Sequence, residues 1–343
     1  MLCCRPTSRE RALPRPASQV TLHDVAAEAE VSIATVSRAL NGLLVSRASE
    51  ARVRRAVAKL GYVANQTARA LRNERSYTLG VIFFELSTAR GLGLLDALSS
   101  VLEISGYSLL IATARGDEQT YARLLRRFVE RRVDGLFCVS PIGAADSAAF
   151  CANAGIPILA LRTRNDAFRS IPLVEPTFAA AAERCTAELY ALGHRRLAFI
   201  DDEVQLSAGG MVGASWRDPR IELEHVTLDE IAGIDEWIRE VRSRRNRPTV
   251  IAASERQAEA ALAVCRASGI AVPGEMSILA VSTAGDEARA QRLNLSSVLL
   301  DSRRLGEAAG KAMLAWLEGT RPKGKLSVEV GTWVPRATTG RVR

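Results

Sequence analysis

At 343 residues the chain is too long for one ordinary domain and reads as two or three. Its 48% apolar and 24% charged residues give a globular profile, without an apolar run long enough for a membrane helix or a signal-peptide core. The formal charge of +8 is concentrated: residues 1–76 carry 13 Lys/Arg against 6 Asp/Glu, and the remainder 33 against 32. A basic segment on a neutral body suits a polyanion partner at that segment alone. The six cysteines (Cys3, Cys4, Cys138, Cys151, Cys185, Cys265) lack metal-ligand spacing, and most sit inside apolar runs and read as core residues of a reducing, cytoplasmic compartment.

Residues 1–19, rich in Arg, Pro and Ser, read as a disordered basic extension. A first helix starts at Thr21 with Asp24 closing an acidic capping box, and Leu22, Val25, Ala26 and Ala29 form one apolar face. After a turn at Glu30-Val31, Ser32 caps a second helix. Val36 and Leu40 face inward there, Asn41-Gly42 ends the helix, and Ile33, Ala34, Ser37 and Arg38 point outward. A third helix runs from Ser46 or Ser49 to Leu60, with Val53, Val57 and Leu60 inside, Arg52, Arg54, Arg55 and Lys59 outside, Gly61 as stop, and Tyr62 folding back. This is the outline of a helix-turn-helix unit. Asn65–Arg72 is a fourth helical segment, too short to hold alone, and 73–76 is a linker.

From Tyr77 strands and helices alternate. Strands are expected at Leu79–Phe84, Tyr107–Ala112, Val133–Val139, Ile156–Leu161, Leu197–Ile200, Thr249–Ala253 and Ser277–Val281. Helices are expected at Gly91–Ser105, Gln119–Arg131, Phe178–Leu192, Glu255–Ser268 and Leu305–Glu318. Such alternation implies two doubly wound parallel-sheet halves, crossing near Val174 and Val298, with a ligand crevice between them.

The stretches VTLHDVAAEAEVSIATVSRALNG and VSRASEARVRRAVAKLGYVANQTARALR, followed in order by RRVDGLFCVS, IPILALRTR, LGHRRLAFI, PTVIAAS and AVPGEMSILAVS, resemble the lactose-repressor/galactose-repressor (LacI/GalR) family of bacterial transcription regulators. The resemblance covers about residues 20–340 and implies a multidomain protein. An all-α helix-turn-helix headpiece (20–64) and a hinge helix with linker (65–76) would precede a two-subdomain α/β core of the periplasmic-binding-protein type (77–343). The core would divide into an N-subdomain of 77–174 plus 299–322 and a C-subdomain of 175–298 plus 323–343. The family also implies a homodimer on a near-palindromic double-stranded DNA operator, acting as a repressor, with operator affinity modulated by a small polar effector such as a sugar. No membrane partner and no cofactor is implied.

A recognition helix brings its N-terminal residues to the base edges of the major groove. Arg38 can take guanine O6 and N7, while Ile33 and Ala34 can meet a thymine methyl or permit close approach. Ser32, Thr35 and Ser37 are short hydroxyls suited to phosphate. By resemblance, the hinge contributes Asn65 at its start, Ala68 where two hinge helices meet, and Leu71 as a minor-groove wedge. Effector positions implied by the family are Glu85–Thr88, Arg115–Asp117, Ser140, Arg162, Glu175, Ser254, Glu255 and Ser282. Departures from the family pattern are Glu30 in place of a turn glycine, Glu50 in place of arginine, and a loop after Gly42 one residue short. In the core they are Ser254-Glu255, Glu175-Pro176, Ser282-Thr283 and Gly210, and the segment between Ile200 and Pro248 is short. Glu30 is tolerable if its backbone avoids positive φ. The cleft either holds something small and polar or is degenerate, leaving an effector-independent regulator.

The competing classes are a solute-binding protein and an enzyme. The three histidines (His23, His194, His225) form no catalytic cluster, with His194 structural at its turn. Ser215 has no G-x-S-x-G around it, and the glycines after Arg90 lack a dinucleotide fingerprint, since Asp96 stands in place of the third.

Overall fold

The structure, a computed structural model, describes residues 20–40, 43–62, 75–84, 86, 89–141, 145–161, 168, 170–201, 216, 218–228, 233–283 and 287–342. The N-terminal extension, the Asn41-Gly42 stop and the hinge positions Asn65, Ala68 and Leu71 lie outside the described residues. The chain divides into two compact units, Met1–Ser76 and Tyr77–Arg343.

The first unit contains α1 (Leu22–Ala29), α2 (Ile33–Leu40) and α3 (Arg47–Leu60). Two helices of eight residues are marginal in water and need a shared core. That core is small: Val25, Ala26, Ala29, Val36, Val53 and Ala56 are buried, with Leu22, Val57, Leu60 and Tyr62 packed against them. Each helix start is chemically fixed. Thr21 and Asp24 form the capping box on α1, Ser32 Oγ accepts from the Thr35 amide at 3.1 Å, and Ser46 caps α3. Gly61 ends α3 at φ +62°.

Two expectations need correction. Leu40 is 41% exposed, because it sits on the last turn of α2, past the reach of α1. Glu30 does adopt the left-handed conformation (φ 51°, ψ 47°), with its N–H bonded to the Ala26 and Ala27 carbonyls. The tight turn into α2 demands that geometry, and a Cβ makes it unfavourable by ~1 kcal/mol.

The second unit holds two six-stranded sheets. β1 (Thr78–Phe83), β2 (Ser108–Thr113), β3 (Gly135–Val139), β4 (Ile158–Leu161), β5 (Leu173–Thr177) and β11 (Lys325–Glu329) form the first, in the order β11-β5-β4-β3-β1-β2. All of its pairings are parallel. β6 (Arg196–Asp201), β7 (Glu222–Thr227), β8 (Val250–Ser254), β9 (Ser277–Thr283), β10 (Ser296–Leu300) and β12 (Gly331–Val334) form the second, in the order β12-β10-β9-β8-β6-β7. Only the β10–β12 pairing is antiparallel. The central strands are buried along their whole length, as Gly135–Val139 shows, which is why they read as unbroken apolar runs rather than alternating ones.

Helices cover both faces of each sheet. On the first, α4 (Ala89–Ile104) and α11 (Ser302–Leu317) pack on one side, and α5 (Glu118–Glu130) with α6 (Ala145–Asn153) on the other. On the second, α7 (Ala179–Ala191) takes one side through Phe178, Ala181, Cys185 and Leu189, while α8 (Gly233–Ser243) and α9 (Glu255–Ala267) take the other; α10 (Glu287–Arg292) follows β9.

The crossings fall later than expected. β5 carries the first sheet through Thr177, and β11 pairs with it, so only after Glu329 does the chain return to the second sheet as β12. The expected return at 323 missed β11, a partly exposed edge strand without an apolar run. β5, β7, β10, β12, α6, α8 and α10 were likewise not anticipated. β7 and α8 show that the segment between Ile200 and Pro248 holds a strand and a helix.

α4 and α11 meet through glycine. A Cβ at Gly306 would stand 2.4 Å from the Leu94 carbonyl oxygen and 2.9 Å from Ala97 Cβ, and one at Gly310 would meet Val101 at 2.9 Å. His194 ties down the C-terminal segment. Its Nε2 lies 2.9 Å from the Gly340 carbonyl and so donates to it, which leaves Nδ1 to accept from Thr249 Oγ1 at 2.8 Å. Burial, the largest influence, pushes its pKa below the ordinary histidine value, so the ring is held neutral.

Glu30→Gly is expected to stabilise the headpiece by about 1 kcal/mol, read as a raised unfolding midpoint of that unit. Gly306→Ala is expected to destabilise the second unit by about 1–3 kcal/mol, read as a lower urea midpoint at unchanged m-value. No change would mean that α4 and α11 separate without cost.

Candidate nucleic-acid interface and effector crevice

In the first unit, Val36 is fully buried, and that fixes which side of α2 is free. Ser32, Ile33, Ala34 and Arg38 are exposed on it, with Thr35 and Ser37 half-buried. All six expected reading residues of the headpiece thus lie on one short helix and its cap. The Ser32 and Thr35 hydroxyls are 2.9 Å apart, so each has one hydrogen-bonding direction engaged locally. Ile33 is 39% exposed, a large apolar side chain left at the start of the helix, where base edges are approached. Leu43 and Leu44, 60% and 98% exposed, extend that apolar character beyond the helix. The Leu43 amide bonds the Arg38 carbonyl at 2.9 Å and holds the loop to the end of α2. Both leucines fall outside the helical period, so periodicity gave no signal for them.

The outer face of α3 is basic. Arg54 pairs with Glu50 within the helix at 2.7 Å, and Lys59 reaches Glu28 of α1 at the same distance. Glu50 therefore neutralises a neighbouring arginine. Asp24 is held below the usual carboxylate range, chiefly by the Thr21 backbone N–H.

In the second unit both sheets have the strand order 2-1-3-4-5 along their first five strands, a doubly wound pattern whose ligands sit outside the carboxyl ends of the strands. The expected effector residues fall into three groups there. Ser140 follows β3 at φ 48° with its N–H bonded to the Leu161 carbonyl at 2.8 Å, and Arg115 follows β2 at φ 54°. Non-glycine residues in this conformation are strained, and here they stand at the carboxyl ends of β2 and β3, the two strands that flank β1. Asp117 is used as the cap of α5, accepting from the Thr120 amide at 2.7 Å, and the Thr120 side chain, followed by that amide, lowers its pKa.

Ser254 and Glu255 stand at the carboxyl end of β8, beside β9, with Ser254 paired to Val281. Ser254 forms a full capping box with Gln257, and Glu255 is the first residue of α9, only 7% exposed. Ser282 lies on β9 opposite Leu299, with its side chain outside the described residues. Arg162, Glu85, Ser87, Thr88 and Gly210 also lie outside them. Glu175 departs from expectation. It sits in the middle of β5, and its carboxylate pairs with Lys325 of β11. The partner strand β11, invisible to the sequence reading, is what claims it. A cavity of about 270 Å³ lies elsewhere, at the amino ends of β4 and β5, between Ile156, Pro172, Trp316 and Arg321.

Among the described residues, no helix is long and apolar enough to cross a membrane. Residues 21–65 match the family model for bacterial regulatory proteins of the lacI family, and residues 186–339 the periplasmic binding protein-like domain. Among curated relatives, the maltose regulon regulatory protein MalI of Escherichia coli is 31% identical over 186 residues, 54% of each chain, so the match spans about half of that relative. Catabolite control protein A of Staphylococcus xylosus is 26% identical over 76% of this chain and 81% of its own. The HTH-type transcriptional regulator GntR of Pseudomonas aeruginosa is 27% identical over 89% and 91%. The fold is similar to that of the lac repressor dimer bound to operator and the anti-inducer ONPF, with a TM-score of 0.76 at 24% identity, covering 94% of this chain and 99% of that one. These relatives are transcription regulators rather than enzymes. The chain thus carries a lacI-family helix-turn-helix domain at residues 21–65 and a periplasmic binding protein-like domain at residues 186–339, on a two-sheet core with the fold of the lac repressor.

Proposed function

We propose that the protein is a sequence-specific DNA-binding transcription regulator, a cytoplasmic repressor. In this reading it binds a near-palindromic operator as a homodimer, and a small polar effector in the core crevice modulates its affinity. The observation that carries this reading is the single exposed face of α2, on which Ser32, Ile33, Ala34 and Arg38 project from a helix anchored by Val36.

Arg38 supplies the one bidentate base contact, on guanine O6 and N7. Ile33 and Ala34 meet thymine methyls, and Ser32, Thr35 and Ser37 set the register on phosphates. One strong reader per headpiece specifies few base pairs, so the reading requires doubling in a dimer and the hinge contribution of Asn65, Ala68 and the wedge Leu71. Pairing of two copies is supported by β2, an edge strand whose Leu109, Leu110 and Ile111 are all at least partly exposed, with Ile104 beside it 90% exposed.

For the effector, the strained Ser140 and Arg115 and the buried Glu255 at the strand ends support a small polar ligand, as does the maltose regulon named for one relative. Arg162 and Ser282 complete the proposed set. A second reading, an effector-independent core, is favoured by the engagement of Glu175 with Lys325 and of Ser254 with Gln257.

In a mobility shift against the DNA upstream of its own gene, Arg38→Ala is expected to abolish preference for the site and leave weak, salt-sensitive binding to any duplex. Equal loss on every sequence would assign Arg38 to phosphate, and equal affinity for one half-site and for the inverted pair would remove the dimer. In a thermal-shift screen of sugars, nucleosides and acids, a true effector at a hundred times its Kd is expected to stabilise the fold by about 2.7 kcal/mol. DNA binding without any stabilising compound would decide for the effector-independent core.

A further inference from the structure

The amino ends of the strands in the second sheet carry a surface that operator binding and the effector crevice leave unused. Residues 239–247 read Arg-Glu-Val-Arg-Ser-Arg-Arg-Asn-Arg, five arginines in nine positions, closing α8 and leading into β8. Contacts join this run to the start of β6. Arg196 donates to the Asn246 carbonyl at 2.5 Å, the Thr249 amide bonds the Arg196 carbonyl, and Arg242 reaches the Ser268 carbonyl at 3.2 Å. Next to them the guanidinium carbons of Arg195 and Arg220 lie 3.9 and 4.3 Å from the ring centre of Tyr190.

The carboxylates in this region do not match the arginines. Asp218 holds Arg220 at 2.7 Å, Glu222 holds Arg196 at 2.8 Å, and Glu224 and Glu240 share Arg244, each at 2.8 Å. Arg195, Arg242, Arg245 and Arg247 engage no carboxylate among the described residues. Asp235 holds Arg239, the remaining arginine of the run, at 2.7 Å, so five acids face eight arginines, a surplus of three, whereas residues 77–343 as a whole carry a surplus of only one. The rest of the core is net acidic, and its positive charge is gathered at this pole.

We propose that the arginine-rich pole is a second, sequence-independent DNA contact, which grips the phosphate backbone of another duplex while the headpieces hold the operator. It rests on the operator-binding reading. Guanidinium forks match phosphate oxygens in pairs, and arginines already held by a tyrosine ring and by backbone carbonyls lose less rotamer freedom on binding. Arginine spread over strand starts and a loop suits a backbone rather than base edges.

The test uses the full chain bound to bead-immobilised operator and then offered a fluorescent non-operator duplex. Capture is expected at about 50 mM salt and its loss by about 200 mM. The double variant R245S/R247S is expected to reduce capture roughly tenfold and flatten the log–log salt slope by about 0.9 per arginine, with operator retention unchanged. A protein that is not retained on operator overturns the operator reading itself. Retention without capture, or capture untouched by the double variant, overturns the pole. Capture of poly-glutamate but not of duplex also overturns it, and assigns the pole to an acidic protein.

Discussion

The burial of Val36 is the constraint on which the proposed DNA-reading surface depends. An eight-residue helix has no stability of its own, and the headpiece core that holds it is built from three valines and three alanines. Small side chains let three helices approach closely, and they leave little apolar area to spend. Every local device at the helix ends therefore matters: the Thr21–Asp24 box, the Ser32 and Ser46 caps and the left-handed residues at Glu30 and Gly61. Among the described residues of the headpiece, Glu30 is where local chemistry and global geometry disagree. Its backbone takes the conformation the turn requires, although glycine would take it more cheaply.

In the core the organising fact is strand polarity. Both sheets are parallel through their first five strands and share one strand order, so each has all those carboxyl ends on one side. The backbone strain at Arg115 and Ser140, the buried Glu255 and the Ser254 cap gather at these ends, while the arginine-rich pole occupies the amino ends of the second sheet. Ligand-like chemistry and polyanion-like chemistry are thereby separated by the length of a strand. The close pair of α4 and α11, with glycine where side chains would collide, keeps the first sheet covered without added bulk.

Much of this was legible in the amino-acid order. Helix caps are local, since a hydroxyl at the helix start reaches amides within one turn, and the Thr21–Asp24 box and the Ser32 cap are placed as read. Continuous apolar runs such as Gly135–Val139 and Val250–Ser254 were legible as buried strands for the same reason. The half-exposed strands β7 and β11 were not, because an edge strand carries neither an apolar run nor a clean alternation. The pairing of Glu175 was not legible either: its partner Lys325 is 150 residues away and becomes a neighbour only through a strand that the sequence did not announce.

The sequence by itself determined that the chain begins with a basic helix-turn-helix headpiece of the lacI type. It also determined that α2 turns Ile33, Ala34 and Arg38 outward, because helical period, caps and short spacings are properties of neighbouring residues. Only the tertiary structure decided that Glu30 sits in the left-handed region, that Leu40 is left uncovered, that Glu175 and Ser254 are already engaged, and that eight arginines from separate strands, a helix end and loops converge on one pole. Each of these depends on residues brought together by sheet pairing or chain reversal, and such contacts leave no period in the sequence.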